Sequence, residues 1–380
     1  MTSNAIRSLD VQSSRMAPSV LIVTASVGAG HDRPAHEMAR RVRQRGGRAV
    51  VVDLVELAPL GTVLRTAFRT ILTRCPQLWG RLHESCDATG QLPPGIQAAL
   101  NAAGRRLARI AEEHEVDLTI STFPLGGRVV GAARDHCNRR LPLATYLTDP
   151  AVHTLWLDQF TDVFLTTWDF VATSLVSRTD IPVALCAPAV GSAFGEARFR
   201  RVHPHASPGP GRALICSGSW GVGDVLPTVL DVLRYSRFQP VVACGRNENL
   251  RRCVTAIPGA VGLGWIEDMA SLMRTCEVAV LNSGGLTLAE AATVGMPVVH
   301  ARPLAGQGLM NAMSCQFGAR IPNTSGGPDL GPALDAAQAM TGHLGRIDPF
   351  DMAWLTLVGP RAQMRTCQPM RGGSEPIALT

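Results

Sequence analysis

The sequence contains no lysine: all 36 basic residues are arginines, and with 30 acids they leave a formal charge of +6. That mild excess points toward anionic partners without choosing among membranes, nucleic acid and phosphorylated ligands. The ten cysteines form no Cys-x-x-Cys pair and no Cys/His cluster at zinc spacing. This argues against a metal knuckle and suits a reduced, cytoplasmic setting. No stretch reaches the uncharged apolar length needed to cross a bilayer, so any membrane contact is expected to be peripheral. Residues 1–16 are polar, carry two arginines and lack a continuous apolar core; they read as a disordered leader rather than a signal peptide. What is plentiful is apolar sequence, 46% of 380 residues, ample for two medium domains.

The most informative stretch runs from Leu263 to Asn311. Val278 to Leu281 reads as a buried strand, Asn282-Ser283-Gly284-Gly285 as a turn, and Leu286, Ala289 and Val294 as one stripe of a following helix. Paired glycines let backbone approach a ligand, and the free N–H groups opening a helix suit a pyrophosphate. Glu290 lies about one turn beyond Thr287, where its carboxylate is poor for phosphate and good for ribose hydroxyls.

The same grammar occurs in the first half. Ser19 to Ala25 reads as a buried strand leading into Ser26-Val27-Gly28-Ala29-Gly30-His31, then a helix from about Asp32 to Gly46, then a strand from Ala49 to Val52. A dinucleotide fingerprint would want another glycine where Arg33 stands, so that reading falls. His31 reads either as a capping residue or as a group taking a proton near neutral pH. Leu60 to Arg81 spaces its apolar residues at helical intervals beside Arg65, Arg69 and Arg74, with no acid between Ala58 and His83. It is either a helix packed on its sheet with a solvated arginine face or one lying on an anionic membrane. Asp117–Ser121 and Leu141–Leu147 read as further strands, the latter ending at Thr148-Asp149-Pro150. Asp149 is there either a turn residue or a rim residue facing a ligand. His153 and Trp156 could equally be packing residues. A linker at 201–211, rich in proline and glycine, precedes a second set of strands at Ala213–Cys216 and Val241–Cys244, a loop at Gly218-Ser219-Trp220 and another at Gly245-Arg246-Asn247. Beyond Phe317, Asn323–Pro328 reads as a loop, Asp329–His343 and Phe350–Val358 as helices.

Taken together, Gly264-Trp265-Ile266-Glu267-Asp268-Met269, the Gly284-Gly285 turn, Gly295-Met296-Pro297 and Gly306-Gln307 through Asn311 form an ordered series. It resembles the donor half of GT-B glycosyltransferases, in the branch of the monogalactosyl- and diglucosyl-diacylglycerol synthases and the lipid II N-acetylglucosaminyltransferase. Gly28-Ala29-Gly30-His31 and Thr148-Asp149 with His153 and Trp156 resemble that branch's acceptor half.

The resemblance implies an α/β chain of two Rossmann-like doubly wound domains facing a cleft. Residues 17–200 would be the acceptor domain, 201–211 the linker, 212–345 the UDP-sugar domain, and 346–380 a helix returning to the first domain plus a disordered tail. It implies a uracil loop at Trp265, Ile266 and Met269 and a diphosphate at the Gly284-Gly285 turn, with Ser283, Leu286 and Thr287 also in the nucleotide-sugar site. Glu290 would hold the ribose and Gln307 the sugar, with Asn311 also in the nucleotide-sugar site. Gly218, Ser219, Arg246 and Asn247 would surround the diphosphate and uridine. His31 would be the base, with Asp149 orienting it or holding an acceptor hydroxyl, and Gly28, Gly30, His153, Trp156, Arg65 and Arg69 would lie on the acceptor side.

The expected partners are a UDP-sugar, a lipid or small-molecule acceptor and an anionic membrane surface, without nucleic acid. The sequence has no Asp-x-Asp, so no metal is expected. Two departures from the branch are Asn282-Ser283 in place of Lys-Pro and Gly308 in place of an acid after Gln307; the second leaves the donor sugar open. A soluble natural-product glycosyltransferase, a UDP-N-acetylglucosamine 2-epimerase and an inactive nucleotide-sugar binder compete with this reading.

Overall fold

The computed structural model describes residues 17–59, 61–196, 210–282, 284–339 and 343–359. The expected leader, most of the expected linker and the tail beyond 359 lie outside them. Two all-parallel six-stranded sheets organise the chain.

The first contains β1 (Ser19–Thr24), β2 (Arg48–Asp53), β3 (Leu118–Ser121), β4 (Leu143–Leu147), β5 (Val163–Thr166) and β6 (Val183–Leu185), in the order β2-β1-β3-β4-β5-β6. The second contains β7 (Arg212–Cys216), β8 (Gln239–Ala243), β9 (Val261–Leu263), β10 (Val278–Leu281), β11 (Val298–Ala301) and β12 (Asn323–Thr324), in the order β12-β11-β10-β7-β8-β9. Helices on both faces explain why β1, β3, β4 and β10 are buried at every residue, and why β10 is apolar throughout.

The two orders are not copies of each other. In the first sheet the order reverses between β1 and β3; in the second it reverses between β7 and β10. Open α/β sheets bind ligands outside the carboxyl ends of strands at such reversals. The segments that follow β1 and β3 carry Gly28, His31 and Thr122, and those after β7 and β10 carry Gly218, Ser219 and the Gly284-Gly285 turn. The topology therefore selects four loops for one cleft.

Pro349–Leu357 is a helix whose Phe350, Ala353 and Leu357 are buried in the core of the first sheet. Arg41 of the helix Ala29–Gln44 anchors it through Asp348 at 2.8 Å. An apolar cluster joins the halves: Val190, Phe194 and Trp156 of the first share it with Leu286 and Ala289 of the second.

Several local expectations are corrected. The Leu60–Arg81 segment is two helices, Gly61–Arg74 and Pro76–Thr89. Pro76 has no N–H to continue the first, and Cys75 before it is pushed out of helical geometry. Val63 of its supposed packing stripe is 61% exposed. Asn323–Thr324, expected as loop, pairs in parallel with β11, and the helix expected over 329–343 runs only Leu330–Ala336.

His300 on β11 is fully buried, with no hydrogen-bond partner for either ring nitrogen among the described residues. Burial holds its pKa down to about 4. The unfolded chain takes up this proton as pH falls through the ordinary value of 6.5, whereas the folded chain resists until about 4. Stability is therefore lost on acidification across that window, by roughly 3 kcal/mol from this group. Denaturant unfolding of wild type and His300→Leu at pH 7 and 4.5 checks this. The acid-induced loss should be smaller in the variant, and an equal loss in both would refute the assignment.

Candidate active site

The helix Ala29–Gln44 begins after the short loop Ala25–Gly28 that follows β1, so His31 sits in its first turn at the rim. Its Nδ1 lies 2.9 Å from the Thr122 carbonyl and 2.8 Å from Thr148 Oγ1. A carbonyl can only accept, so the proton belongs on Nδ1 and Nε2 keeps the lone pair. Phe123 stands edge-on to the ring, with centroids 5.2 Å apart. Burial lowers the His31 pKa, outweighing the opposing effects of Asp149 and the Thr122 hydrogen bond. A neutral imidazole with a fixed tautomer results.

Asp149, at the end of β4, makes no hydrogen bond to His31. Its Oδ2 accepts from Trp156 Nε1 at 3.0 Å and from His153 Nε2 at 3.4 Å. Its Oδ1 accepts from Gln307 Nε2 at 2.5 Å and Asn311 Nδ2 at 3.1 Å, both from the helix Gln307–Ala319 of the second half. Burial by itself would raise this carboxyl's pKa, but interactions with His153, His31 and Asn311 hold it well below the usual carboxylate range. His153 and Trp156 are both buried and both donate to Asp149, with the Trp156 ring 6.1 Å from that of His31. Asp149 is thus a buried anion tying the two halves together.

Across the cleft, Gly284 caps the helix Gly285–Val294. Gly285 is required by a close approach: a Cβ there would lie 2.0 Å from the Thr148 carbonyl oxygen. Gly28, Gly30, His31, Asp149, Gly218, Ser219, Trp265, Ile266, Met269, Gly284, Gly285, Leu286, Thr287, Glu290, Gln307 and Asn311 all border one inner cavity of about 260 Å³. Ser283 lies outside the described residues.

Glu290 is 4% exposed, and burial raises its pKa to about 7 despite Arg33, whose guanidinium stands 3.7 Å away. A carboxyl in this condition gains from hydroxyl partners. Arg246 does not border the inner cavity; its guanidinium covers the Trp265 ring at 4.5 Å, beside Arg33 at 5.1 Å. Asn247 is committed to capping the helix Glu248–Thr255 and to the Gly221 carbonyl. Arg65 donates to Ser26 Oγ at 2.9 Å and Arg69 lies over Trp220 at 5.8 Å, so both turn toward the cleft.

The sequence reading missed Thr122 and Arg33 as site residues, and quoted Thr148 only as part of the Thr148-Asp149 element. Thr148 was visible beside Asp149, but Thr122 has no local signal, because only sheet order brings it to His31. Among the described residues no group of three His, Cys, Asp or Glu could hold a metal, and no helix is long and apolar enough to cross a membrane.

No family model matches the chain. It is 26% identical over 309 residues to a processive diacylglycerol β-glucosyltransferase of Bacillus subtilis, covering 77% of this chain and 80% of the relative. It is 27% identical over 315 residues to the protein of that name from Bacillus thuringiensis, covering 78% and 79%. Among solved structures, Acinetobacter baumannii MurG superimposes with a TM-score of 0.57 at 14% identity, over 90% of this chain and 99% of that one. Arabidopsis thaliana UGT89C1 complexed with UDP-L-rhamnose does so with a TM-score of 0.51 at 13% identity, over 82% and 86%.

Proposed function

Starting from a GT-B fold and a sequence relationship to the processive diacylglycerol β-glucosyltransferases, we propose that the protein is an inverting, metal-independent glycosyltransferase. It moves a hexose from a UDP-sugar to a hydroxyl of a lipid acceptor, diacylglycerol in the first instance, at a membrane surface. The observation that carries the reading is the facing pair across the cleft: a neutral His31 with its lone pair on Nε2, and the glycine-capped start of Gly285–Val294.

In a single displacement the acceptor hydroxyl gives its proton to His31 Nε2 as its oxygen attacks the anomeric carbon, and the bond to the UDP oxygen breaks. The backbone N–H groups of the first helical turn suit the departing diphosphate. Glu290, buried at the same helix, suits the ribose hydroxyls. Exposed Val63, Leu78 and Leu82 on the helices Gly61–Arg74 and Pro76–Thr89 favour lipid contact over packing against the sheet.

The test is transfer from a panel of labelled UDP-hexoses by purified protein, with and without vesicles containing diacylglycerol. Label is expected in the lipid phase only with vesicles, and the rate is expected to be unchanged by EDTA. Complete loss on EDTA that a divalent ion restores would overturn metal independence. UDP-sugar binding without transfer to lipid would instead favour a soluble acceptor.

A further inference from the structure

Beside the inner cavity lies a second, larger one of about 1050 Å³, and the two share a wall that includes Gly28, Arg33, Ser219, Trp220, Trp265 and Glu290. Arg40, Arg65, Arg69 and Arg246 border only the outer cavity, while Thr287, Gln307 and the Gly284-Gly285 turn border only the inner one. The outer wall thus carries five guanidiniums, Arg33 included, against the carboxylates of Asp32, Glu37 and Glu290. Glu37 is bridged to Arg40 and Arg41, each at 2.7 Å, and Glu290 faces Arg33. Arg65 and Arg246 have uncharged partners, the Ser26 hydroxyl and the Trp265 ring. No carboxylate is within ion-pair reach of either among the described residues.

We propose that this cavity is an anion subsite for a phosphate ester carried by the acceptor, held by Arg65 and Arg246 while the acceptor's hydroxyl reaches His31. The inference rests on the transferase reading above and narrows its acceptor from a neutral to a phosphate-bearing hydroxyl lipid. Arginine forks match phosphate oxygens in pairs, which suits a chain whose only strong cation is arginine. Ser26, the partner of Arg65, and His31 flank the Gly28–Gly30 loop that separates the two cavities. A headgroup with phosphate on one side and hydroxyl on the other spans that loop.

The test compares phosphatidylglycerol and diacylglycerol as acceptors, each in phosphatidylcholine vesicles, with glycerol 1-phosphate as a soluble competitor. Wild type should favour phosphatidylglycerol in kcat/KM, and glycerol 1-phosphate should inhibit competitively against the acceptor. Arg65→Gln should reduce the preference about tenfold, through the acceptor's KM, and Arg65→Lys should restore part of it. Thermal melting of each variant separates misfolding from lost recognition. Equal use of both lipids with no inhibition overturns the anion subsite and leaves the transferase reading standing. A raised KM for the UDP-sugar alone in Arg65→Gln also overturns it, since the arginines would then serve the donor. Absence of UDP-sugar binding by wild type would instead remove the transferase reading itself.

Discussion

His31→Ala is expected to lower kcat by about a hundred- to ten-thousandfold, the range general base catalysis supplies, while UDP binds the variant as tightly as wild type. The two readouts separate because His31 belongs to the first half and the glycine turn to the second. The pH dependence follows from the same geometry. Transfer needs the imidazole neutral, so the rate should rise with pH and level off below the ordinary histidine value, because burial lowers this pKa. His31→Gln should be as inactive as the alanine variant, since an amide cannot take the proton. Steady-state kinetics with a UDP-hexose, and UDP titration by calorimetry, decide it. A kcat within threefold of wild type would exclude His31 as the base, and equal loss of UDP binding would mean that the substitution disturbs the cleft as a whole.

The strands at both sheet centres were legible in the sequence, because parallel strands buried on both faces must be continuously apolar, as Leu21 to Val23 and Val278 to Leu281 are. Strands β6 and β9 were not: each is three residues long and half-buried at a sheet edge, too short for any period. The glycine turns announced the site's loops, but not which loops meet. Thr122 reaches His31 only because β3 lies beside β1, a pairing set by packing over nearly a hundred residues. For Asp149, which borders the inner cavity, the local signal was partial for a related reason. Its neighbours Pro150 and His153 advertise a rim residue, whereas Gln307 and Asn311, which engage it, lie more than 150 positions away. Spacing identified residue types suited to the chemistry; long-range topology determined which of them touch.

That long-range network sets the second large effect. Asp149→Ala removes a buried carboxylate on which four donors converge: Trp156 Nε1, His153 Nε2, Gln307 Nε2 and Asn311 Nδ2. Two come from the first half and two from the second, so the loss falls on both a core and an interface. Breaking a buried charged network by deleting one partner costs about 3–5 kcal/mol. Asp149→Asn keeps the shape, but its amide nitrogen must oppose donors on one side, so it should recover only part of the stability. A residue that served catalysis alone would leave the unfolding midpoint in place. One that holds the halves in register should move the midpoint and raise the KM for the UDP-sugar together, because Gln307 loses its anchor at the edge of the inner cavity. Urea unfolding and donor kinetics on both variants separate the cases. A normal midpoint with a kcat as low as that of His31→Ala would return Asp149 to the proton-transfer step, with its four contacts incidental to the fold.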